Sequence, residues 1–213
     1  MEIFEKLGIL VLGWLLGLLG PAIVDTIRRK RENALGREAI LSELHDVGGT
    51  LAIAAFAVKS KQGSIDREFL EWLKNQVERG ARAERFKVFS EDLHEQLRWS
   101  DEEIATRFQF MKSPAGQGTV LQKYVVPLLD SRVSALWSFD TSFQRRLLEI
   151  RQYLHRIDDL VDRSRMFDDM TFADHHEENR RRINENYQQV LALYAENTQR
   201  LVDMIQKLDV SVR

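Results

Sequence analysis

The chain contains no cysteine. Disulfide staples, thiolate metal sites and cysteine nucleophiles are thereby excluded, and the composition suits a reducing compartment. Proline is nearly as scarce, with three in 213 residues. Glycine totals 11, and five of these fall within the first 36 residues. The remainder is poor in turn formers and rich in Glu, Arg, Leu, Gln and Ala, the usage of long helices. No excess of one charge exists either. Lys and Arg number 31 against 33 Asp and Glu, a net charge of −2, which argues against a globally basic nucleic-acid binder.

What the sequence does have is one long uncharged run near its start. Leu7 to Val24 is 18 residues without a charge, between Lys6 and Asp25. At about 1.5 Å per residue such a run covers roughly 27 Å, against roughly 30 Å for a bilayer core. It shows no polar face of the kind a buried amphipathic helix keeps. A cleaved secretion signal fits poorly, because residues 1–6 are acidic rather than basic and no small-x-small cleavage site follows. The run is followed instead by Arg28, Arg29, Lys30 and Arg31, a cluster that resists translocation and attracts anionic headgroups. The reading is a retained single-pass anchor, with the N-terminus outside and the rest in the cytoplasm. A compact layout of this type points to a bacterial inner membrane. Within the run, Gly13 and Gly17 make a G-x-x-x-G pair on one helix face, a seam where two helices can approach closely. Gly20-Pro21 predicts a bend, since Pro21 removes one helical hydrogen bond.

Beyond the basic cluster every segment reads as helix. Ile40, Leu44, Val47, Leu51, Ala54 and Val58 form one stripe. Its second half, VGGTLAIAAFAV, has 12 residues without charge. That is too short to span a bilayer comfortably, so a buried helix rich in small residues is expected. Ile65, Phe69, Trp72, Leu73 and Val77 mark a helix ending near Gly80, and Phe86, Phe89, Leu93 and Leu97 another. Ser100 and Glu103 form a capping box, with Trp99 and Ile104 in the staple positions. SPAGQG, residues 113–118, is a loop; it lacks the Gly-Lys-Ser/Thr ending of a phosphate-binding loop. Leu136, Phe139, Phe143, Leu147, Ile150, Leu154, Ile157 and Val161 keep heptad spacing. After a break at 168–171, with Thr171 as the expected N-cap, Ile183, Tyr187, Val190, Tyr194, Asn197, Leu201, Met204 and Leu208 resume it. Two long helices joined by a short connection should fold into an antiparallel hairpin over about 131–209. Asn197, on the apolar stripe, is the candidate for setting register or oligomeric state.

The expected fold is therefore all-α: a single N-terminal transmembrane helix followed by a cytoplasmic helical bundle containing a long antiparallel hairpin. Its divisions are 1–27 as anchor, 28–37 as basic juxtamembrane segment and 38–213 as cytoplasmic domain.

Chemistry is thinly represented. Glu91 and His94 have the E-x-x-H spacing of carboxylate-bridged metal bundles, but a second copy is missing. Asp168, Asp169, Asp174, His175, His176, Glu177 and Glu178 concentrate oxygen and imidazole ligands, yet adjacent histidines on a helix point about 100° apart. Arg180, Arg181 and Arg182 fan around a helix among acidic neighbours, which suits a solvated face. No catalytic residue, cofactor or metal is assigned, and the chain is read as a non-enzymatic interaction or assembly module at the membrane. Its expected partners are membrane lipid, a protein of unspecified identity and a second copy of itself, with no nucleic acid. Two other functions compete: an effector that permeabilises the bilayer, and a metal-dependent enzyme using residues 168–178.

Overall fold

The computed structural model describes residues 2–78, 84, 86–113, 119–171 and 176–210. Regular structure among them is entirely helical. In chain order the helices are α1 (Glu2–Gln62), α2 (Arg67–Glu78), α3 (Lys87–Gln96), α4 (Asp101–Phe110), α5 (Pro127–Ser131), α6 (Thr141–Thr171) and α7 (Glu177–Val210). A short 3-10 helix, Val133–Ser138, lies between α5 and α6. The chain divides into two compact units, Met1–Leu41 and Ser42–Arg213, and α1 contributes to both.

The first unit is helical from residue 2 onward. Where its uncharged run has described side chains (Gly8, Gly13, Trp14, Gly17, Ile23 and Val24), all are exposed. Gly20 and Pro21 lie within the continuous helix, and their side chains lie outside the described residues. Among the described residues, one helical segment, Ile23–Gln62, is long and apolar enough to cross a membrane by length and composition. One third of its most apolar 18-residue window is nevertheless buried within the protein.

That burial belongs to the second unit. There α1 buries Leu44, Leu51, Ala52, Ala55 and Val58. The buried line is rotated from the expected one: Val47 and Ala54 are half-buried, while Gly48 and Ala55 face inward. Successive helical residues stand about 100° apart, so burial of Gly48 and Ala55 beside Leu44, Leu51 and Val58 centres the buried face to one side of the expected line. Gly48 lies against α7, where an added Cβ would stand 3.7 Å from Ile205 Cδ1. Gln62 donates to the Gln188 carbonyl at 2.9 Å, so this part of α1 and α7 run in opposite directions. Phe56 meets Phe89 and Phe108 edge to face, with centroids 5.3 and 6.1 Å apart. Gly63 then ends α1 with φ +67°, the left-handed conformation of a Schellman stop, in which Gly63 N–H bonds Ser60 O and Ser64 N–H bonds Lys59 O. A Cβ at Gly63 would also meet the Phe108 carbonyl at 3.1 Å.

Helices α6 and α7 pack along one another. Arg146, near the start of α6, donates to the carbonyl of Lys207, near the end of α7, at 3.1 Å, so they too run in opposite directions. Buried on the two helices are Phe143, Leu147, Ile150, Leu154, Ile157 and Val161 of α6, and Val190, Leu191, Leu201, Val202, Ile205 and Leu208 of α7. Each fully buried side chain of this size contributes about 1.5–3 kcal/mol of apolar transfer.

Two helix boundaries differ from the sequence expectation. The stripe from Leu136 is not one helix, because Phe139 is extended (φ −91°, ψ 167°) and α6 begins after Asp140, whose carboxylate accepts from Phe143 N–H at 2.9 Å. A local Asx cap outcompetes continuation of the apolar period. Thr171 does not start α7. It is the last residue of α6, where its hydroxyl donates to the Asp168 carbonyl at 2.6 Å.

Smaller helices are fixed by caps. Ser100 and Glu103 form the reciprocal capping box of α4, and Arg107 stacks over Trp99 at 4.8 Å. Arg67 of α2 binds Asp101 at 2.5 Å, the Leu97 carbonyl at 2.9 Å and the Trp99 carbonyl, pinning the start of α4. The Glu43 carboxylate accepts from Leu128 and Leu129 N–H at 2.8 and 2.9 Å, a cap for α5 supplied by distant sequence.

Candidate functional site

The candidate membrane residues of the first unit, Gly13, Gly17 and Arg28 to Arg31, share one property, exposure. A Cβ built at Gly13 or Gly17 meets nothing within 4 Å, so their helix face is open. Trp14, Ile23, Val24 and Ile27 are 67, 55, 63 and 62% exposed. Arg28, Arg29, Lys30 and Arg31 are exposed as well, and Arg28 Nε pairs with Glu32 Oε1 at 2.8 Å across one helical turn. Such an i,i+4 pair in water is worth only about 0.3–0.5 kcal/mol and leaves the guanidinium available to other anions. An open small-residue face, exposed apolar side chains and a cationic end thus follow one another along a single helix.

In the second unit the motifs considered for metal chemistry are otherwise engaged. His94 Nδ1 is 2.8 Å from the Ser90 carbonyl, and its Nε2 is 3.4 Å from Glu78 Oε1. Glu91 is exposed. Among the described residues, no group of three or more His, Cys, Asp or Glu is arranged to hold a metal. Of the 168–178 cluster, residues 172–175, including Asp174 and His175, lie outside the described residues. Glu178 pairs with Arg182 at 2.7 Å, and Arg181 with Glu185 at 3.6 Å. Asn197 is half-buried and donates to the Leu193 carbonyl of its own helix at 2.7 Å. The fully buried polar residue of α7 is its neighbour Thr198.

A polar seam between α6 and α7 was not anticipated. Tyr187 and Tyr194 read as members of the apolar stripe, and both are buried. A buried tyrosine still carries a hydroxyl that needs a partner; that is the signal which sequence offered. Tyr187 Oη accepts from Thr119 N–H at 2.6 Å and donates to Thr119 O at 3.1 Å. Lys123 Nζ meets Asp162 Oδ2 of α6 at 2.6 Å. Tyr124, Tyr194 and Thr198 gather three hydroxyls, but neither Tyr194 Oη nor Thr198 Oγ1 attains hydrogen-bond geometry. Burial pushes the Tyr194 phenol above the ordinary tyrosine range, and Tyr124 adds to the rise while Thr198 opposes it. Burial likewise raises the Asp158 carboxyl, opposed by Lys123 and His155 and reinforced by Asp162 and Asp159. These shifts follow from taking charge out of water, not from a poised acid–base pair.

A separate cleft of about 550 Å³ includes Lys59, Gln62, Lys112, Ser113, Asn184 and Glu196 in its lining. Ala192 and Ala195 line it as well, so its two ammonium groups, amides and carboxylate stand around a partly apolar floor.

The chain matches no family model, no curated protein and no solved structure.

Proposed function

We propose that this protein is a membrane-tethered helical assembly module working at the cytoplasmic face of a membrane, within a membrane complex or signalling system. The observation that carries the reading is the exposure of every described side chain in the uncharged run of α1, including Trp14, Ile23 and Val24. Water disfavours such a face and a bilayer interior accepts it. The cluster Arg28–Arg31 supports an orientation with the N-terminus outside and the helical unit inside, because cationic flanks stay cytoplasmic. It also binds anionic headgroups, at about 1 kcal/mol per charge near the surface. Gly13 and Gly17, with no neighbour within 4 Å, support a second copy as the occupant of that face.

In this reading α6 and α7 form an antiparallel hairpin in a cytoplasmic bundle, an extended surface for protein partners held at the inner membrane of a bacterium-like cell. The test is mild-detergent extraction of the full chain followed by chemical cross-linking and co-purification. The expected result is resistance to alkaline carbonate, release by detergent, and a cross-linked dimer or partner complex. A monomer extracted by carbonate alone would contradict both the tether and the assembly role.

A further inference from the structure

Three elements meet around the cleft of about 550 Å³: the end of α1, the residues just after α4, and one face of α7. The α7 face runs from Asn184 through Gln188, Ala192 and Ala195 to Glu196, positions that share a side at helical spacing. Gln62, bonded to the Gln188 carbonyl, fixes its middle. Ser113 N–H bonds the Lys61 carbonyl at 2.8 Å, and a Cβ at Gly63 would stand 3.3 Å from Lys112 Cβ. Lys112 is thereby held beside Gly63, four residues or about 6 Å of helix axis beyond Lys59. Because α1 and α7 run oppositely here, Lys59 lies toward the Ala192–Glu196 end and Lys112 toward Asn184.

Among the described residues, neither Lys59 nor Lys112 forms an ion pair, and Glu196 forms none either. Lys59 Nζ stands instead 4.8 Å over the Phe69 ring, a contact that steadies the cation and leaves its N–H donors unspent. What the cleft lacks narrows the ligand further. Its lining has no aromatic ring on which a base could stack and no arginine fork. The helix end that faces it is the C-terminus of α1, whereas phosphates favour an N-terminus. Two separate ammonium groups over an alanine floor suit two carboxylates joined by a short aliphatic chain.

We propose that this cleft binds a short aliphatic dicarboxylate. One carboxylate pairs with Lys59, the other with Lys112 beside Ser113 and Asn184, and the methylenes lie over Ala192 and Ala195. Glu196 limits the charge accepted at the Lys59 end. Binding joins α1 to α7 and gives the second unit a small-molecule input that does not rest on the tether.

The test is calorimetric titration of the full chain in mild detergent with glutarate, at constant ionic strength, beside acetate and inorganic phosphate. The expected result is saturable one-to-one binding of glutarate in the millimolar range, with acetate and phosphate each roughly tenfold weaker, as loss of one charge-assisted contact gives. Lys112→Gln should weaken glutarate by a similar factor, and Glu196→Gln should tighten it. Opposite signs cannot both come from unfolding. Three results overturn the proposal: no saturable binding of glutarate, acetate or phosphate binding as tightly as glutarate, or a Glu196→Gln chain that binds glutarate no better than wild type.

Discussion

Helix α1 holds two apolar stretches that composition alone barely separates, and they meet opposite surroundings. In residues 7–24 every described side chain is exposed. In residues 47–58, Leu51, Ala52, Ala55 and Val58 are buried against the protein's own helices, and Phe56 is ringed by Phe89 and Phe108. The second stretch has a covered face and a less covered one, as Ala57 is exposed and Ala54 half-buried. The first has a lipid-length run with no charge. Hydrophobicity is therefore a statement about demand for cover, and the cover can be protein or bilayer. The glycines divide in the same way: Gly48 lies against Ile205, while Gly13 and Gly17 face open space.

Placing the same charge in each stretch breaks the comparison most forcefully. Leu51→Arg puts an unpaired guanidinium at a fully buried position, and the second unit should lose its cooperative thermal transition, since even Leu→Ala at such sites costs about 2–5 kcal/mol. Trp14→Arg should leave that transition in place and instead move protein from the membrane to the soluble fraction, at about 2.5–3.5 kcal/mol for a charge near the centre of a span. Identical unfolding by both variants would erase the distinction.

The glycine pairs give a smaller contrast. Gly17→Ile should reduce cross-linked dimer without shifting the melting temperature. Gly48→Ala should fit, its Cβ making ordinary contacts 3.7–3.8 Å from Ile205, and should stabilise by up to about 1 kcal/mol through helix propensity. Denaturant unfolding beside cross-linking separates the two.

Smaller again is Tyr194→Phe. Deleting a buried hydroxyl without hydrogen-bond geometry should be neutral or stabilising by about 0–1 kcal/mol in denaturant unfolding. A loss of more than that would mean the hydroxyl is well bonded.

The smallest effect is in pH. Backbone and side-chain hydrogen bonds from Ser100 hold the exposed Glu103 carboxyl below its ordinary 4.5. A depressed folded pKa contributes stability above the unfolded value and loses it as pH falls through the folded one. Glu103→Gln should therefore flatten part of the acid limb below about pH 4.5 in thermal melts and change little at neutral pH.

The legible parts were those where one local rule dominates. Ser100 and Glu103 sit three apart and make their box wherever the helix goes. The apolar periods of α6 and α7 follow from burial of one face each. What escaped were partners remote in sequence: Glu43 capping α5, 85 residues away, and Tyr187 holding Thr119 at a separation of 68. Periodicity counts tyrosine as apolar and is silent on its hydroxyl. Start signals also compete, and Asp140 prevailed over the heptad run that began at Leu136 because its carboxylate satisfies a free N–H at once. Of the candidate site, the exposed basic cluster and the glycine face could be named from sequence, whereas the seam required the fold.

The central claim is that the first stretch of α1 crosses the bilayer and the second unit stays inside. Because no native thiol interferes, single cysteines can be placed at Glu2 and at the exposed Arg200, and labelled in intact cells with a membrane-impermeant maleimide. The account predicts modification at position 2 in intact cells and at position 200 only after permeabilisation. Labelling at position 200 in intact cells, or at neither position until permeabilisation, would contradict it.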